Sequence, residues 1–439
     1  MLHFYSVKNK ILILFLILTS LHKAQLKFTS LDSLLSYTQK NSSSIKISNE
    51  QTLLAKWTKV AALANTINLR SPISFSSTDN TMLPVNFIPA DAFGGPPGTF
   101  RQITLGQQYV SNFNINPQID IINPYAWAKV KSASVNKEMT AVNNSIVKKN
   151  LFESIAAAYY NCISLQEQIN ITQQSLSASD SIVLIVQNKF SLGIVREQDL
   201  NNARVNQLNV SDKLNQLKSM LQQQQNSLKI LCDIPASTQL SISETNTTSS
   251  LSGSKASSSL NLRYSELQSQ YARSELRANR FNMFPILSLV AYQGWQQNSN
   301  TAFFDNNATW IQSRYIGLRI TVPFPPDVNK MSQSYTSKIN YRISKLNNDH
   351  TTLQNQLTNE SMDIDLAKAN SSYQTAKQIA DLKKANYEKS MNQYKEGILP
   401  TDNLLNAFSD LLISELNFVS AYSSLQYNNS KININNTVK

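Results

Sequence analysis

The fold of this chain is decided by FSLGIVREQDLNNA, residues 190–203, and by YKEGILPTDNLLNA, residues 394–407. Each segment interrupts a long polar helical pattern with a glycine, and Gly193 and Gly397 are 204 residues apart. Glycine costs roughly 1 kcal/mol and proline roughly 3 kcal/mol inside a helix, so Gly397 and Pro400 end the incoming helix. Apolar periodicity resumes after each glycine, which predicts a turn between two helices.

An apolar seam with steps of three and four residues follows each turn. In the first copy it comprises Leu200, Ala203, Val210, Leu214, Leu217, Leu221, Leu228 and Leu231, with Gln207 and Gln224 in the gaps. The same register in the second copy gives Leu404, Ala407, Leu411, Ser414, Phe418, Ala421, Leu425, Asn428 and Ile432. This spacing is typical of coiled coils. The shared register therefore predicts two helical hairpins related by an internal repeat.

A long uninterrupted helical pattern precedes each turn, at residues 125–190 and 327–394. Each would be roughly 100 Å long, whereas the helix that returns from Gly193 covers only about 50 Å. We therefore expect a second short helix to stack end to end on each return helix. Residues 31–69 and 259–282 carry the required pattern.

Between the upper short helix and the long helix of each copy the apolar period changes to two. The segments SNFNINPQIDII (residues 111–122) and YIGLRITVPF (residues 315–324) alternate in this way, with partner strands at about 73–77 and 286–295. One apolar and one polar face fits a membrane-barrel strand with lipid outside and water inside. A half-buried strand of a soluble protein gives the same alternation.

The strand connections and the helix starts carry their own signals. Residues 79–101 and 298–312 are predicted to be long polar loops, as on the outer side of bacterial barrels. Asn123-Pro124 and Pro326-Asp327 are predicted to open the long helices as cap and first-turn residues.

The N-terminus reads as a secretory signal peptide, residues 1–24. Lys8 and Lys10 precede the apolar run 11–18, which is followed by Ala24-Gln25. An ordinary buried N-terminal helix fits the basic start less well. The apolar run is shorter than the ~20 residues of a spanning helix, and no later stretch is long enough, so entry into a membrane would require a closed barrel.

Composition argues against nucleic-acid binding and catalysis. The net charge of +12 is dispersed, without the clustered basic footprint of nucleic-acid proteins. After signal removal the only histidine is His350, and no phosphate loop, CxxC or HExxH motif occurs. We therefore expect no enzyme activity, no cofactor and no metal site. In the predicted hairpin Cys162 and Cys232 are separated by about 9 Å of helix rise, which predicts free, buried thiols.

The predicted organisation is a signal peptide (1–24), a first structural repeat (25–235), a Ser/Thr-rich linker or equatorial segment (236–258), and a second repeat with a polar C-terminal tail (259–439). Four strands cannot close a barrel, because the smallest outer-membrane barrels have eight. Two, three or four copies would supply enough strands.

These parts and their order resemble the TolC-like outer-membrane efflux proteins (outer-membrane factors) over essentially the whole mature chain. The [FY]-x-x-G turns and the segment 262–293, similar to the family's helix-to-strand junction, carry the resemblance. It implies a mainly α fold with membrane β: a trimer in the outer membrane, with a 12-stranded β-barrel continued by a 12-helix coiled-coil barrel through the periplasm. Implied partners are a periplasmic adaptor protein, an inner-membrane pump and outer-membrane lipid. The implied function is export of small molecules or proteins.

The resemblance also assigns roles near the turns. Adaptor docking falls on Gly193, Ile194, Gly397, Ile398 and Pro400. A polar gate falls on Asp199, Tyr394, Asp402, Asn403 and Asn406, with a hydrogen bond expected between Tyr394 and Asp199. The alternative for Asp199 is a plain N-cap of the return helix.

The sequence departs from the family pattern at the gate. Leu399 replaces an arginine, Asn403 and Asn406 replace carboxylates, and Asp402 lies one residue early, on a helix face rotated by about 100°. We therefore expect a pore less cation-selective than those of members with the acidic ring. Single-channel reversal potentials in a salt gradient test this, and a strong cation preference would contradict it.

The competing function is a secreted coiled-coil structural scaffold or adhesin without transport activity. The seams alone would suffice for such a protein, but the alternating strands would be unexplained.

Overall fold

The computed structural model describes residues 25–243, 255–324 and 327–438. The predicted signal peptide, part of the predicted linker and Pro326 lie outside these residues. The helices in the described ranges are α1 (Leu31–Asn41), α2 (Ser43–Ile67), α3 (Pro124–Ser191), α4 (Glu197–Cys232), α5 (Leu260–Phe281), α6 (Val328–Lys395) and α7 (Thr401–Thr437). The strands are β1 (Gln25–Phe28), β2 (Ile73–Asp79), β3 (Val85–Pro89), β4 (Phe100–Thr104), β5 (Tyr109–Ile115), β6 (Gln118–Ile122), β7 (Gln239–Ile242), β8 (Ile286–Ser299) and β9 (Trp310–Thr321).

The predicted long helices and their return helices are present. Both α3 and α6 have 68 residues, and each is followed by a tight turn and a return helix of 36 or 37 residues. The predicted caps are present: Asn123 Oδ1 accepts from the Ala126 N–H, and Asp327 Oδ1 accepts from the Asn329 N–H. The prediction of one continuous helix over residues 31–69 was wrong, because Ser42 has extended backbone and divides it into α1 and α2.

The end of each return helix is hydrogen-bonded to the start of a short helix or to the residues just before it. At the end of α4, Asp233 adopts a left-handed conformation, and its Oδ2 accepts from the N–H of Ser43, the first residue of α2, at 2.6 Å. At the end of α7, Asn436 Oδ1 accepts from the Ser257 N–H and its Nδ2 donates to the Lys255 carbonyl, just before α5. A side-chain amide or carboxylate thus joins the two short helices in each copy.

The chain forms two compact units. Of the described residues, the helical unit comprises 25–51, 141–243, 255–264 and 349–438, and the sheet unit comprises 52–140, 265–324 and 327–348. Each unit therefore draws on both sequence repeats.

The main sheet of the sheet unit is built around β8. The strands β5 and β6 pair one after the other along one edge of β8, and β9 pairs along the other edge. The strand β2 pairs with β5, and all neighbours are antiparallel. Within the described residues, the outer edges of β2 and β9 have no partner strand.

Two sequence predictions for this region need correction. Residues 111–122 do not form one strand, because Pro117 lacks an N–H for the ladder and divides β5 from β6. Residues 79–101 are not a plain loop, since β3 pairs with β4 across a single turn of 3₁₀ helix, Ala90–Phe93.

The helical unit has a core in which both hairpins take part. Six of the eight predicted seam residues of α4 are buried, with Leu221 and Leu231 partly buried. The helix α7 buries Leu404, Ser414, Leu425 and Ile432 of its predicted seam, and also a second stripe that the sequence did not reveal: Leu405, Phe408, Leu412, Val419 and Ser423. Ser423 Oγ donates to the Tyr160 carbonyl of α3 at 2.7 Å, so the second stripe packs toward the other hairpin.

Both cysteines are buried thiols, as predicted. They lie in one apolar cluster together with Leu34, Tyr159 and Leu228. Burial raises the pKa of Cys162 to about 12 and that of Cys232 to about 11.

We expect neither thiol to react with iodoacetamide in the folded protein, because the thiolate is the reactive form. Intact mass should show no alkylation under native conditions at neutral pH and two additions after unfolding. Rapid native labelling would contradict this, as would a mass that rises by about two hydrogens on reduction.

Candidate functional site at the helical turns

The two turns have the same backbone geometry. Gly193 has φ of 75° and Gly397 has φ of 79°, in the left-handed region that only glycine adopts freely. The N–H of Ile194 donates to the Lys189 carbonyl and the N–H of Ile398 donates to the Gln393 carbonyl, both at 2.9 Å. Each long helix therefore ends in a closed, glycine-dependent cap.

The residues predicted for docking are exposed. Ile194 and Ile398 are 64% and 69% exposed, although both are apolar. Pro400 is the N-cap of α7 rather than its first residue, with an extended backbone. The turns thus present apolar side chains to solvent.

Replacing Gly397 by alanine should lower the free energy of unfolding by about 1 kcal/mol through backbone strain alone. A Cβ at this position meets no atom within 4 Å, so no clash contributes. Thermal unfolding followed by circular dichroism measures the effect. Gly317→Ala is the matched control, because its Cβ is equally free and its φ is not left-handed; an equal loss in both variants would contradict the strain argument.

The ends of both hairpins share one apolar core. It contains residues from all four helices of the hairpins: Ile182, Val186, Leu200, Ala203, Val210, Tyr394, Leu404, Leu405, Phe408 and Leu412. Leu399, the residue in place of the family's arginine, packs against this core. The two turns are therefore held together by apolar contacts as well as polar ones.

Tyr394 is the centre of the polar contacts between the turns. Its side chain is only 2% exposed, and its hydroxyl accepts a long hydrogen bond from Thr401 Oγ1 at 3.4 Å. Lys189 Nζ lies 4.0 Å from the centre of the Tyr394 ring and donates to the Tyr394 carbonyl at 2.6 Å. Burial raises the pKa of the Tyr394 phenol, the Thr401 hydrogen bond opposes this, and the negative charge of Asp199 adds to it. The tyrosine therefore stays neutral at physiological pH.

Asp199 contacts the backbone of its own helix. It is the third residue of α4, not the N-cap, and its Oδ2 accepts from the Arg196 N–H at 2.9 Å. The predicted N-cap assignment was therefore wrong in position, although the carboxylate does satisfy a free N–H at the helix start. Within the described chain Tyr394 bonds to Thr401 and Lys189; a link from Asp199 to Tyr394 stays a prediction.

Asp402 makes a second link between the hairpins. Asn202 Nδ2 of α4 donates to Asp402 Oδ1 at 3.1 Å. Asn403 and Asn406 are exposed on α7. Of the five residues predicted for the gate, Asp402, Asn403 and Asn406 therefore lie on accessible faces near the turns, and Asp402 joins the two hairpins.

Sequence reasoning missed Lys189, Asn202 and Thr401. Lys189 lies one helical turn before Gly193, and its counterpart in the second copy is Gln393, so the repeat gives no sign of its role. The contacts of Lys189 and Asn202 reach residues 205 and 200 positions away, and pairings of that range cannot be found from periodicity.

Two further observations concern the described ranges as a whole. No helix there is both long and apolar enough to cross a membrane. No group of three or more His, Cys, Asp or Glu side chains in those residues is placed to hold a metal ion.

Residues 97–232 match the family model of outer membrane efflux proteins. This region runs from the β3–β4 connection through the first long helix and its return helix, and it includes the first glycine turn. No curated protein matches the sequence.

Solved structures with a similar fold include outer-membrane proteins and outer-membrane channels. VceC from Vibrio cholerae has a TM-score of 0.73 and 16% identity, covering 92% of this chain and 95% of VceC. The CmeC channel of Campylobacter jejuni has a TM-score of 0.71 and 16% identity, covering 92% of this chain and 84% of CmeC. The MtrE channel of Neisseria gonorrhoeae, solved in its open state, has a TM-score of 0.69 and 13% identity, covering 93% and 88%.

The fold therefore extends over nearly the whole chain, and the efflux-protein match covers the part with the first hairpin. Both findings support the predicted outer-membrane location. The two findings thus agree with the resemblance predicted from the sequence: residues 97–232 are similar to outer membrane efflux proteins, and the fold is that of solved outer-membrane proteins.

Proposed function

We propose that this protein is an outer-membrane channel that exports cargo delivered by a periplasmic adaptor and an inner-membrane pump. The observation that carries the proposal is the inverted polarity of the main sheet. Ile316, Leu318 and Ile320 of β9 are 67 to 79% exposed, whereas the polar side chains of Ser288 and Asp120 on the opposite face are at most 4% exposed. A water-soluble sheet would have the reverse arrangement.

The polar face is held by a network at the sheet end nearest the helices. Asp120 accepts from Ser288 Oγ at 2.8 Å, from Asn68 Nδ2 at 2.6 Å and from Asn123 Nδ2 at 3.0 Å. Asn123 in turn caps α3. One buried carboxylate thus fixes a strand to the start of a long helix, and this favours a channel whose polar interior continues from strands into helices.

The open edges of the sheet support a closed homo-oligomer. Unpaired strand edges cannot lie in hydrocarbon, because each N–H and C=O would lose its hydrogen bond. If the β2 edge of one copy pairs with the β9 edge of the next, the N–H and C=O groups of both edges form hydrogen bonds. Each copy contributes four strand positions: β2, β5 followed by β6, β8 and β9. Three copies would therefore give the proposed 12-stranded barrel, and their helices would give a 12-helix tunnel.

Exposed apolar stripes on two helices point to the same assembly. On α6, Met331, Tyr335, Ile339 and Ile343 follow one face at helical spacing and are 43 to 65% exposed. On α2, exposed apolar residues recur at a similar spacing: Leu53, Leu54, Trp57, Val60, Leu63 and Ile67. Apolar surface of this extent marks an interface, and we assign it to neighbouring copies.

The remaining parts of the proposal concern organisation and the turns. The chain is proposed to consist of two structural repeats, residues 25–235 and 259–439, which residues 236–258 join. The exposed apolar turns at Ile194 and Ile398 are proposed to dock the adaptor, and the contacts around Tyr394 and Asp402 are proposed to form the closed gate.

The test is the behaviour of the full-length protein from an outer-membrane fraction. We expect a slowly migrating oligomer in unheated samples that converts to monomer on boiling, and step conductances in planar bilayers that increase when an adaptor is added. A protein found in the medium, without a heat-modifiable form and without conductance, would instead be the secreted scaffold or adhesin.

A further inference from the structure

A large open cavity lies in the sheet unit, where the helices meet the sheet. Its volume is about 1640 Å³, and it is lined by the first turns of α3, the C-terminal half of α5 and the first third of α6. Pro124, the first residue of α3, and Phe284, just before β8, place one end of the cavity at the strand junctions.

The cavity wall carries six cations and no carboxylate. The cations are Lys131, Arg273, Arg277, Arg280, Lys338 and Arg342, and all are exposed. Arg273, Arg277 and Arg280 follow one face of α5 at steps of four and three residues. Within the described residues none of the six forms an ion pair, although Arg277 lies 5.3 Å from the centre of the Phe281 ring.

Ordinary explanations account for only part of this cluster. A cation in the last turn of a helix interacts well with the helix dipole, which suits Arg280. The nearby carboxylate of Glu275 is already paired with Lys129 at 2.6 Å, and it lines a different cavity. Several like charges on one wall repel each other, and an anion bound among them would relieve that repulsion.

The apolar part of the wall specifies the ligand further. Trp127, Phe281 and Phe284 lie at the end of the cavity next to the strands, and the cations extend from there along the helices. A ligand with an apolar portion toward the sheet and an anionic group toward the helices would match both halves. Basic pockets at the polar edge of membrane proteins bind acidic headgroups in this way, with aromatic side chains at the interface.

We propose that this cavity binds the anionic group of an acidic amphiphile, with its apolar portion on Trp127, Phe281 and Phe284. Two sources share this chemistry: an acidic phospholipid, whose presence rests on the proposed membrane location, and a soluble anionic aromatic compound. Guanidinium groups suit both, because they bind phosphate and sulfonate oxygens with two parallel N–H donors.

The experiment uses the full-length protein in a neutral maltoside detergent. It is titrated separately with phosphatidylglycerol, with phosphatidylcholine, with anilinonaphthalene sulfonate and with inorganic phosphate, and binding is measured by calorimetry. We expect phosphatidylglycerol or the sulfonate to bind and phosphatidylcholine not to bind. Binding of phosphatidylglycerol alone identifies the lipid source, and binding of the sulfonate alone identifies the soluble one.

The variant Arg273→Gln/Arg277→Gln/Arg280→Gln should raise the Kd by about tenfold or more, because charge-assisted hydrogen bonds are lost. Lys338→Gln/Arg342→Gln, on a different helix, gives a second variant of the same cavity with the same direction of effect. The matched control, Arg204→Gln/Lys218→Gln/Lys368→Gln, removes three exposed charges elsewhere and should change the Kd by less than about twofold.

Equal losses in the cavity and control variants would overturn the proposal, since net charge alone would then explain binding. It is equally overturned if no acidic amphiphile binds, or if inorganic phosphate binds as well as the amphiphiles. These failures are distinguishable from failure of the channel function, because the heat-modifiable oligomer and its conductance are measured on the same samples.

Discussion

We expect Ile316→Arg to abolish the heat-stable oligomer and Gly317→Arg, one residue along the same strand, to leave it intact. Ile316 lies at the middle of β9, pairs with Ala291 and is 79% exposed on the apolar face. An arginine at the bilayer midplane of a barrel costs about 2–4 kcal/mol. In a closed assembly every copy carries that cost, so the free energy of the oligomer rises by the sum over its copies.

The control position is well matched. Gly317 pairs with Val290 and belongs to the polar face with Arg319, and a Cβ there meets no atom within 4 Å. The same arginine is therefore introduced one residue away but directed to the opposite face. The measurement is the proportion of unheated oligomer in the outer-membrane fraction. Equal loss in both variants would show that β9 does not face lipid on one side, and the sheet would need another explanation.

We expect Lys189→Met to raise the resting conductance of the proposed channel, with Lys395→Met as its control. Lys189 lies over the buried Tyr394 ring and donates to the Tyr394 carbonyl, so it joins the first long helix to the second turn. A cation–π contact contributes about 0.5–2 kcal/mol and a hydrogen bond from a charged donor about 1.5–3 kcal/mol. Because Lys189 is partly exposed, we take the lower end of each energy range, which together amount to about 2 kcal/mol. Losing this energy shifts the closed-to-open equilibrium by about thirtyfold.

Lys395 follows Tyr394 directly and is exposed. Methionine keeps most of the length of either side chain and removes the charge and the donor. The measurement is the fraction of time that single channels are open in planar bilayers at fixed voltage. An unchanged open fraction for Lys189→Met, or an equal rise for Lys395→Met, would mean that the Lys189 contact does not hold the turns closed.

The contacts around Tyr394 differ in chemistry from those of the gate expected from the sequence. The resemblance placed a tyrosine and an aspartate together, whereas Tyr394 here contacts Lys189 and Thr401, and Asp199 bonds to the start of its own helix. The charged contact of Tyr394 is therefore a lysine, and the Asp402 carboxylate accepts from the side-chain amide of Asn202. This arrangement is consistent with the expectation of weaker cation selectivity, which the reversal potential tests.

The sequence by itself determined the two long helices, the turns that end them, the return helices and the order of these elements. Gly193 and Gly397 predicted the turns because only glycine adopts the left-handed backbone without strain. The seam of α4 followed from spacing because its core contacts recur every three or four residues. Proline and capping residues gave the helix starts, since their effects act within one turn.

Tertiary structure decided everything that joins distant parts of the chain. The second stripe of α7, which includes Phe408 and Val419, was not evident because the first copy of the repeat exposes residues such as Leu208 at comparable places on α4. The seams of the two return helices share a register, but α7 also packs a second stripe toward the other hairpin. A repeated pattern cannot encode that difference. Likewise, the pairing of Lys189 with Tyr394 joins residues 205 positions apart. Local patterns fix backbone conformation, whereas such contacts depend on which helix faces lie against each other, and only packing settles that.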